Sequence, residues 1–192
     1  MIDFDTVFLV GPQGSGKGTQ GKRLAAKLGF LYWGTGDILR AASHEDTPLG
    51  RELASEMGKG ALLSDELMLR VAEQKLDAIP AGTGVVFDGI PRRVAQADFM
   101  LEFARREGRK RPLAIFLDLP REEAKKRLLA REKIEGRADD TPEGIEARLR
   151  AYDEVIRPTI EYLKDKTTFV EIDGRPSMDE VEKSIDAAIG IQ

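Results

Sequence analysis

The residues with the clearest chemical meaning form a glycine-rich stretch, GPQGSGKGT, at positions 11–19. Its Gly-x4-Gly-Lys pattern lets consecutive backbone N–H groups converge on an anion, because the glycines carry no Cβ. Lys17 is then expected to reach the outer phosphates of a nucleotide, and Thr19 is the nearest hydroxyl to an accompanying Mg²⁺. Gly18 stands directly after the lysine, where Ser or Thr is more usual. The stretch therefore predicts a phosphate-binding loop.

The segments on either side of this loop decide between two interpretations. A glycine-rich turn between a strand and a helix, with a solvated lysine, would have the same composition. Residues 6–10, however, form a short apolar run typical of a strand buried on both faces. After the loop, Leu24, Ala25 and Leu28 recur at helical spacing. A buried strand before the loop and a helix after it are the context in which this pattern binds phosphate.

The rest of the chain repeats the alternation of apolar runs and helical segments. Further strands are expected at 30–33, 85–87, 113–117 and 168–172. Helix starts are indicated by a capping box at Ser177, by Thr141 before Pro142, and by Ser64 before two acidic residues. This pattern predicts an α/β fold: a doubly wound, five-stranded parallel sheet with helices on both faces.

Composition excludes several classes of protein. The 192 residues suffice for one full-sized α/β domain, and the absence of cysteine excludes a disulfide scaffold, a cysteine-ligated zinc and a thiol nucleophile. A net charge of −4 argues against a broad nucleic-acid-binding face. The N-terminus carries acidic residues, and no apolar run approaches the ~20 residues that a membrane span needs. We expect a cytoplasmic monomer that binds neither nucleic acid nor membranes.

Four stretches together resemble one enzyme family. The loop continues as GKGTQ at 16–20, and TGDILR follows at 35–40. DGIPR occupies 88–92 with Gln96 four residues further on, and GR at 136–137 precedes a pair of aspartates and Arg148. In this combination, which spans nearly the whole chain, they resemble the adenylate kinases among the nucleoside monophosphate kinases. The short, cysteine-free lid stretch is similar to the short-lid form, which holds no zinc.

The resemblance implies an activity and a division of the chain. The reaction would be reversible, Mg²⁺-dependent transfer of a phosphoryl group from ATP to AMP, which gives two ADP. The core of this P-loop kinase domain would comprise residues 1–33, 64–129 and 141–192. A helical insertion at 34–63 would bind the monophosphate, and residues 130–140 would form the lid. Mg²⁺ would be held through phosphates and waters near Thr19 and Asp88, with no direct protein ligand.

The resemblance also assigns residues to the two nucleotides. ATP would be bound by the loop and by residues near the lid and the last strand: Gly14, Ser15, Gly16, Lys17, Gly18, Thr19, Arg127, Arg131, Arg175 and Pro176. AMP would be bound by Thr35, Arg40, Ala61, Leu62, Leu63, Gly89, Ile90, Pro91, Arg92, Gln96, Arg137 and Arg148. The groups expected to act on the transferring phosphoryl are Lys17, Arg92, Arg131, Arg137 and Arg148. Guanidinium forks suit phosphate oxygens particularly well.

Two alternatives remain open at this point. A UMP/CMP kinase would share the loop and a short lid, although Thr35 and Gln96 together favour adenine as the acceptor base. A nucleotide-responsive module that binds ATP without transferring phosphate is supported only by Gly18 and Gln13, and the presence of Lys17 and of the arginine set argues against it. The chain also departs from the family pattern at positions that bear on affinity and rate more than on identity. These are Gln13 for proline, Gly34 for serine, Ile90 for phenylalanine and Ala61 for a frequent lysine.

Overall fold

A computed structural model describes residues 3–57, 63–135 and 141–191 of the chain. Five parallel strands form one sheet in the order β2-β3-β1-β4-β5. Their near-continuous apolar sequences suit strands that are covered on both faces. The five strands predicted from apolar runs are confirmed, with these bounds: β1 Thr6–Val10, β2 Leu31–Gly34, β3 Val85–Asp88, β4 Leu113–Asp118 and β5 Thr168–Asp173.

Helices cover both faces of this sheet, as the sequence predicts. On one face, α1 (Lys17–Leu28) and α9 (Met178–Ile189) bury apolar side chains against alternate residues of the central strands. On the other face lie α4 (Asp65–Leu76), α5 (Val94–Arg106) and α8 (Arg157–Lys166). The two hydrophobic cores are therefore separated by the sheet, and the fold is doubly wound.

Two smaller helical groups project from this core. Helices α2 (Thr35–Ser43) and α3 (Pro48–Met57) pack on α4 through Ala42, Leu53, Leu67 and Val71. Helix α6 (Arg121–Glu135) packs against α7 (Pro142–Ala151), which continues through a π-helical segment, Tyr152–Ile156, into α8. The first group lies within the insertion predicted at 34–63, and the end of α6 extends into the lid predicted at 130–140. Residues 136–140 of that lid lie outside the described residues, and the domain boundaries remain predictions.

Local chemistry begins the helices where the sequence indicates. The Ser64 hydroxyl accepts the N–H of Leu67, and the Thr141 hydroxyl accepts that of Gly144. At α9, Ser177 and Glu180 form a reciprocal capping box. Each side chain satisfies a backbone N–H group that the first helical turn cannot pair. In the described ranges, no helix combines the length and the apolar character that crossing a membrane requires.

The register of the sheet brings three chain segments together at one edge. Asp88, the last residue of β3, lies opposite Leu9 of β1 and Gly34 of β2. Because all strands are parallel, the glycine loop after β1, Asp88 and the start of α2 all lie at the carboxyl edge. The strand order reverses beside β1, and such a switch point is where open α/β sheets bind ligands. The fold therefore positions the residues that the sequence singles out.

The capping box at α9 leads to a stability prediction. Ser177→Ala removes the hydroxyl that accepts the N–H of Glu180, so the free energy of unfolding should fall by about 1 kcal/mol. Urea denaturation followed by circular dichroism measures this change. Ser184→Ala is the matched control, because its hydroxyl donates to a carbonyl within the same helix and caps nothing. Equal losses in both variants would contradict the assigned role of the cap.

Candidate active site

A cleft of about 670 Å³ opens at the carboxyl edge of the sheet. The glycine loop forms one wall, the start of α2 and the turn after β3 form another, and arginines from α6 and α7 close the rim. Most of the residues expected to contact nucleotides line it: Gly14, Gly16, Lys17, Gly18, Thr19, Thr35, Arg40, Gly89, Pro91, Arg92, Arg127, Arg131 and Arg148. The structure thus brings most of the residues that were expected to bind ATP and AMP into one cavity.

The glycine loop has the backbone geometry of an anion cradle. Gly14 and Gly16 adopt φ angles of 85° and 90°, which L side chains rarely tolerate. Gly16 is also the N-cap of α1, where no side chain caps the helix and no acidic residue occupies the first turn. The positive end of the helix dipole therefore faces the cleft, and the first turn of α1 has no acidic residue of its own to offset it. An anionic ligand would supply the missing negative charge.

Lys17 lies at the floor of this cradle, largely enclosed by the loop. Its ammonium donates to the carbonyls of Gly11 at 2.9 Å and Pro12 at 2.7 Å. Withdrawal from water lowers the pKa of Lys17 to about 8. The carboxylate of Asp88 opposes this shift, whereas the guanidinium groups of Arg92 and Arg131 add to it. The site consequently holds a lysine whose charge is poorly compensated until a ligand arrives.

Asp88 supplies the carboxylate nearest to the loop. It accepts a hydrogen bond from the Tyr32 hydroxyl at 2.8 Å, through Oδ2. Burial and the charge of Asp88 raise the pKa of Tyr32, so this hydroxyl remains a donor at physiological pH. A Cβ placed on Gly18 would lie 3.5 Å from Oδ2, so a larger residue there would narrow the space before the carboxylate. One carboxylate with the Thr19 hydroxyl suits Mg²⁺, which keeps several waters and binds mainly through phosphates.

Thr35 and Arg92 meet on the opposite side of the cleft. Thr35 is 3% exposed, and its hydroxyl has no hydrogen-bond partner within the described ranges. Arg92 is also withdrawn from water, which lowers its pKa, although a guanidinium stays charged. Its Nε donates to the Gly89 carbonyl at 3.0 Å, and a Cβ on Gly89 would approach both side chains within 3.4 Å. An unsatisfied buried hydroxyl beside an enclosed cation indicates a site shaped for a polar anion.

Some expected contacts do not line the cleft. Gln96 is 5% exposed and bonded inward: its Oε1 accepts the Arg92 N–H at 2.9 Å, and its Nε2 donates to Asp65 at 2.8 Å. Ile90 is in the core beneath the sheet edge, and Leu63 packs with the α2–α3 group. Six expected residues are thus absent from the lining: Ser15, Leu63, Ile90, Gln96, Arg175 and Pro176. Ala61, Leu62 and Arg137 lie outside the described residues.

The arginines of the rim differ in how they are held. Arg127 donates to the carbonyls of Gly174 at 2.8 Å and Arg175 at 2.7 Å, which ties α6 to the loop after β5. Arg175 turns away and pairs with Asp173, and this pair lowers the pKa of Asp173 to about 2. Arg40 pairs with Asp37 at 2.5 Å on the surface of α2. A nucleotide would have to compete for Arg127 and Arg40, since both already have partners.

Several residues that line the cleft were not assigned a nucleotide contact from the sequence: Gln13, Lys22, Tyr32, Asp37 and Ile156. Lys22 lies five residues after Lys17 on α1, and its ammonium approaches the Tyr32 ring to 5.7 Å from the centroid. Successive residues of a strand face opposite sides of a sheet, so β2 should place Tyr32 and Trp33 on different faces. This alternation could have indicated that one of the two lies on the side of α1. Ile156 is the last residue of the π-helical segment and lines the cleft. No local sequence pattern indicates this segment.

Comparison with known proteins identifies the family. The family model described as adenylate kinase matches residues 9–168. An adenylate kinase from Stenotrophomonas maltophilia (strain K279a) is 39% identical over 181 residues, covering 94% of this chain and 97% of that protein. One from Thermus thermophilus is 38% identical, with 96% and 97% covered. One from Maricaulis maris (strain MCS10) is 40% identical, with 95% and 97% covered.

Both the matched region and the near-complete coverage include the glycine loop, the turn after β3 and the helices around the lid. These similarities, together with the geometry of the cleft, show that the chain belongs to the adenylate kinase family.

Proposed function

We propose that this protein catalyses reversible transfer of the terminal phosphoryl group of ATP to AMP, which gives two ADP. The observation that carries the proposal is a single cleft with an anion cradle on one side and a second enclosed cation beside an unsatisfied hydroxyl on the other. One phosphate group would need only the first of these. Two phosphate-gripping sites that face each other suit two nucleotides placed end to end.

The cradle and Lys17 hold the donor in this account. The backbone N–H groups at 14–19 bind its phosphates, and the Lys17 ammonium leaves the loop carbonyls to follow the transferring group. Phosphoryl transfer requires little covalent help from the protein, because positioning and charge neutralisation lower the barrier. Lys17, Arg92, Arg131, Arg137 and Arg148 are therefore proposed to neutralise the charge that is shared between donor and acceptor.

Thr35 and Arg92 hold the acceptor. Arg92 grips the monophosphate, with Arg40 beside it, and the Thr35 hydroxyl bonds to the nucleotide. Mg²⁺, when bound with ATP, would neutralise phosphate charge, and the residues that suit it are Asp88 and Thr19. Arg127 holds the donor's adenine side once it exchanges its carbonyl partners for the nucleotide. Closure of the α2–α3 group and of the lid would exclude water as a competing acceptor.

The hydrogen bonds of Gln96 favour considering pyrimidine nucleoside monophosphates as a second class of acceptor. Gln96 was expected to read adenine together with Thr35, yet its amide is committed to Arg92 and Asp65. Unless AMP displaces these bonds, Gln96 gives no preference for adenine over a pyrimidine. A UMP/CMP kinase is therefore the second candidate. A cytoplasmic location and a monomeric state remain predictions from the sequence.

The acceptor base is tested with a panel of nucleoside monophosphates. With Mg·ATP as donor, AMP should give turnover at least about ten times faster than UMP, CMP or GMP, the discrimination expected from base-edge hydrogen bonds. A coupled assay of ADP formation measures each rate. Faster turnover with UMP or CMP would favour the second candidate. No ADP from any acceptor, together with intact ATP binding, would favour a nucleotide-binding module instead.

The buried Thr35 hydroxyl gives a second test. Thr35→Val keeps the shape of the side chain and removes the hydroxyl, so the KM for AMP should rise about tenfold, the worth of one hydrogen bond. The KM for ATP should change little. Thr167→Val is the matched control, since its buried hydroxyl donates to the Leu163 carbonyl at 2.7 Å, away from the cleft. An unchanged KM for AMP in Thr35→Val would remove Thr35 from the acceptor site.

The depressed pKa of Lys17 predicts a pH dependence of ATP binding. Because the nucleotide-free protein releases this proton near a pH of about 8, the charged form predominates below that pH and is lost above it. Near pH 7, where the terminal phosphate of ATP is largely deprotonated, the association constant for ATP measured by calorimetry should therefore change little with pH. Above about pH 8 it should fall towards tenfold per pH unit. Lys17→Met should bind ATP weakly at every pH. A parallel decline in both proteins would show that another group titrates.

A further inference from the structure

Tyr32 is a feature of the cleft that neither the phosphate loop nor the arginines explain. It lies in β2, lines the cleft beside the glycine loop, and donates its hydroxyl to Asp88 at 2.8 Å. The bond joins two strands that are neighbours in the sheet, because β2 pairs with β3. It therefore fixes the last side chain of β3 from the adjacent strand.

The ring of Tyr32 is clamped so that its hydroxyl has little freedom. A Cβ on Gly21 of α1 would come within 2.8 Å of the ring and 2.7 Å of Leu9. A Cβ on Gly34 would come within 2.9 Å of the opposite ring edge. Real side chains do not approach this closely, so a larger residue at either position would force the tyrosine ring or Leu9 to shift. The departure from serine at Gly34 thus has a steric reason in this chain.

The hydrogen bond uses only one of the two carboxylate oxygens. Oδ2 of Asp88 accepts the hydrogen bond from the Tyr32 hydroxyl, which leaves Oδ1 for another partner. A hydroxyl held by a clamped ring restricts rotation of the carboxylate about its own side-chain torsion. Other charged groups near this carboxylate are Lys17 and Arg92, both cationic. Without the tyrosine, Asp88 would be free to turn towards either cation.

We propose that Tyr32 is a positioning residue that orients the carboxylate of Asp88 towards the hydrated Mg²⁺ accompanying ATP. The inference rests on the proposed function only in that the donor is a magnesium nucleotide, and it does not depend on the acceptor. Two other roles for the tyrosine predict different behaviour. A purely structural hydroxyl would affect stability alone, and a resting contact that Mg²⁺ must break would weaken Mg²⁺ binding.

The test measures how strongly Mg²⁺ favours ATP binding, without any phosphoryl transfer. Calorimetry gives the association constant for ATP with excess Mg²⁺ and again with a chelator, in the absence of AMP. The ratio of the two constants should fall about three- to tenfold in Tyr32→Phe, the scale of one hydrogen bond to a charged group. Tyr162→Phe is the matched control, because its hydroxyl also donates to an aspartate, Asp98, on the surface.

A double-mutant cycle with Asp88→Asn separates orientation from structure. Asp88→Asn should lower the same ratio, and adding Tyr32→Phe to it should lower the ratio no further, because the two residues act through one carboxylate. An unchanged or increased ratio in Tyr32→Phe, an equal fall in Tyr162→Phe, or additive effects in the cycle would each overturn the proposal. Loss of cooperative unfolding in Tyr32→Phe would overturn it too, since the hydroxyl would then hold the fold.

Failure of the reaction itself is distinguishable from failure of this inference. If no monophosphate accepts a phosphoryl group but Tyr32→Phe still lowers the Mg²⁺ ratio, the positioning role stands and the transfer reaction falls. If the unmodified protein binds ATP equally with and without Mg²⁺, there is no cation to orient towards, and the inference falls with that result.

Discussion

The cleft depends on a local shortage of negative charge around two enclosed cations. Lys17 and Arg92 are both withdrawn from water there, which lowers the pKa of each. Asp88 is the carboxylate that opposes both shifts, and one of its oxygens is engaged by Tyr32. The N-terminus of α1 adds partial positive charge without an acidic residue in its first turn. Burying unbalanced charge is unfavourable, so this edge is stabilised most by an anionic ligand.

The remainder of the fold makes this shortage tolerable. The sheet is covered by apolar clusters on both faces, so the cleft forms at the edge without breaking the core. Parallel strands bring the loop after β1, the turn after β3 and the start of α2 to one place, as the register of Asp88 shows. A bound ligand can then pair with groups that have no hydrogen-bond partner among the described residues, such as the Thr35 hydroxyl.

Features that depend on neighbouring residues could be predicted from the sequence. The five strands, the glycine-rich turn between β1 and α1, and the caps at Ser64, Thr141 and Ser177 each follow from a local pattern, and the structure confirms them. Gathering Lys17, Thr35 and Arg92 in one cleft required the family resemblance as well, since they are far apart in sequence.

Features that depend on distant partners could not be predicted. Nothing near Gln96 indicates that Asp65, thirty-one residues away, takes its amide and turns it inward. The bond from Tyr32 to Asp88 spans fifty-six residues, and the tyrosine ring packs against one glycine on α1 and one at the end of its own strand. The inward turn of Ile90 and the pairing of Arg175 with Asp173 likewise follow from packing and from competition between partners. Local patterns therefore identified the groups available for chemistry, and tertiary contacts decided which of them line the cleft.

In the proposed mechanism, Lys17 and Arg92 are withdrawn from water in order to bind phosphate groups. The most direct measurement is a crystal structure with a dinucleoside polyphosphate that joins two adenosines and can span both halves of the cleft. In that complex, Lys17 Nζ should have left the carbonyls of Gly11 and Pro12 and should lie about 3 Å from a phosphate oxygen. Arg92 should contact the other end of the same chain. A ligand bound elsewhere, with Lys17 still on its loop carbonyls and Arg92 away from any phosphate, would contradict it.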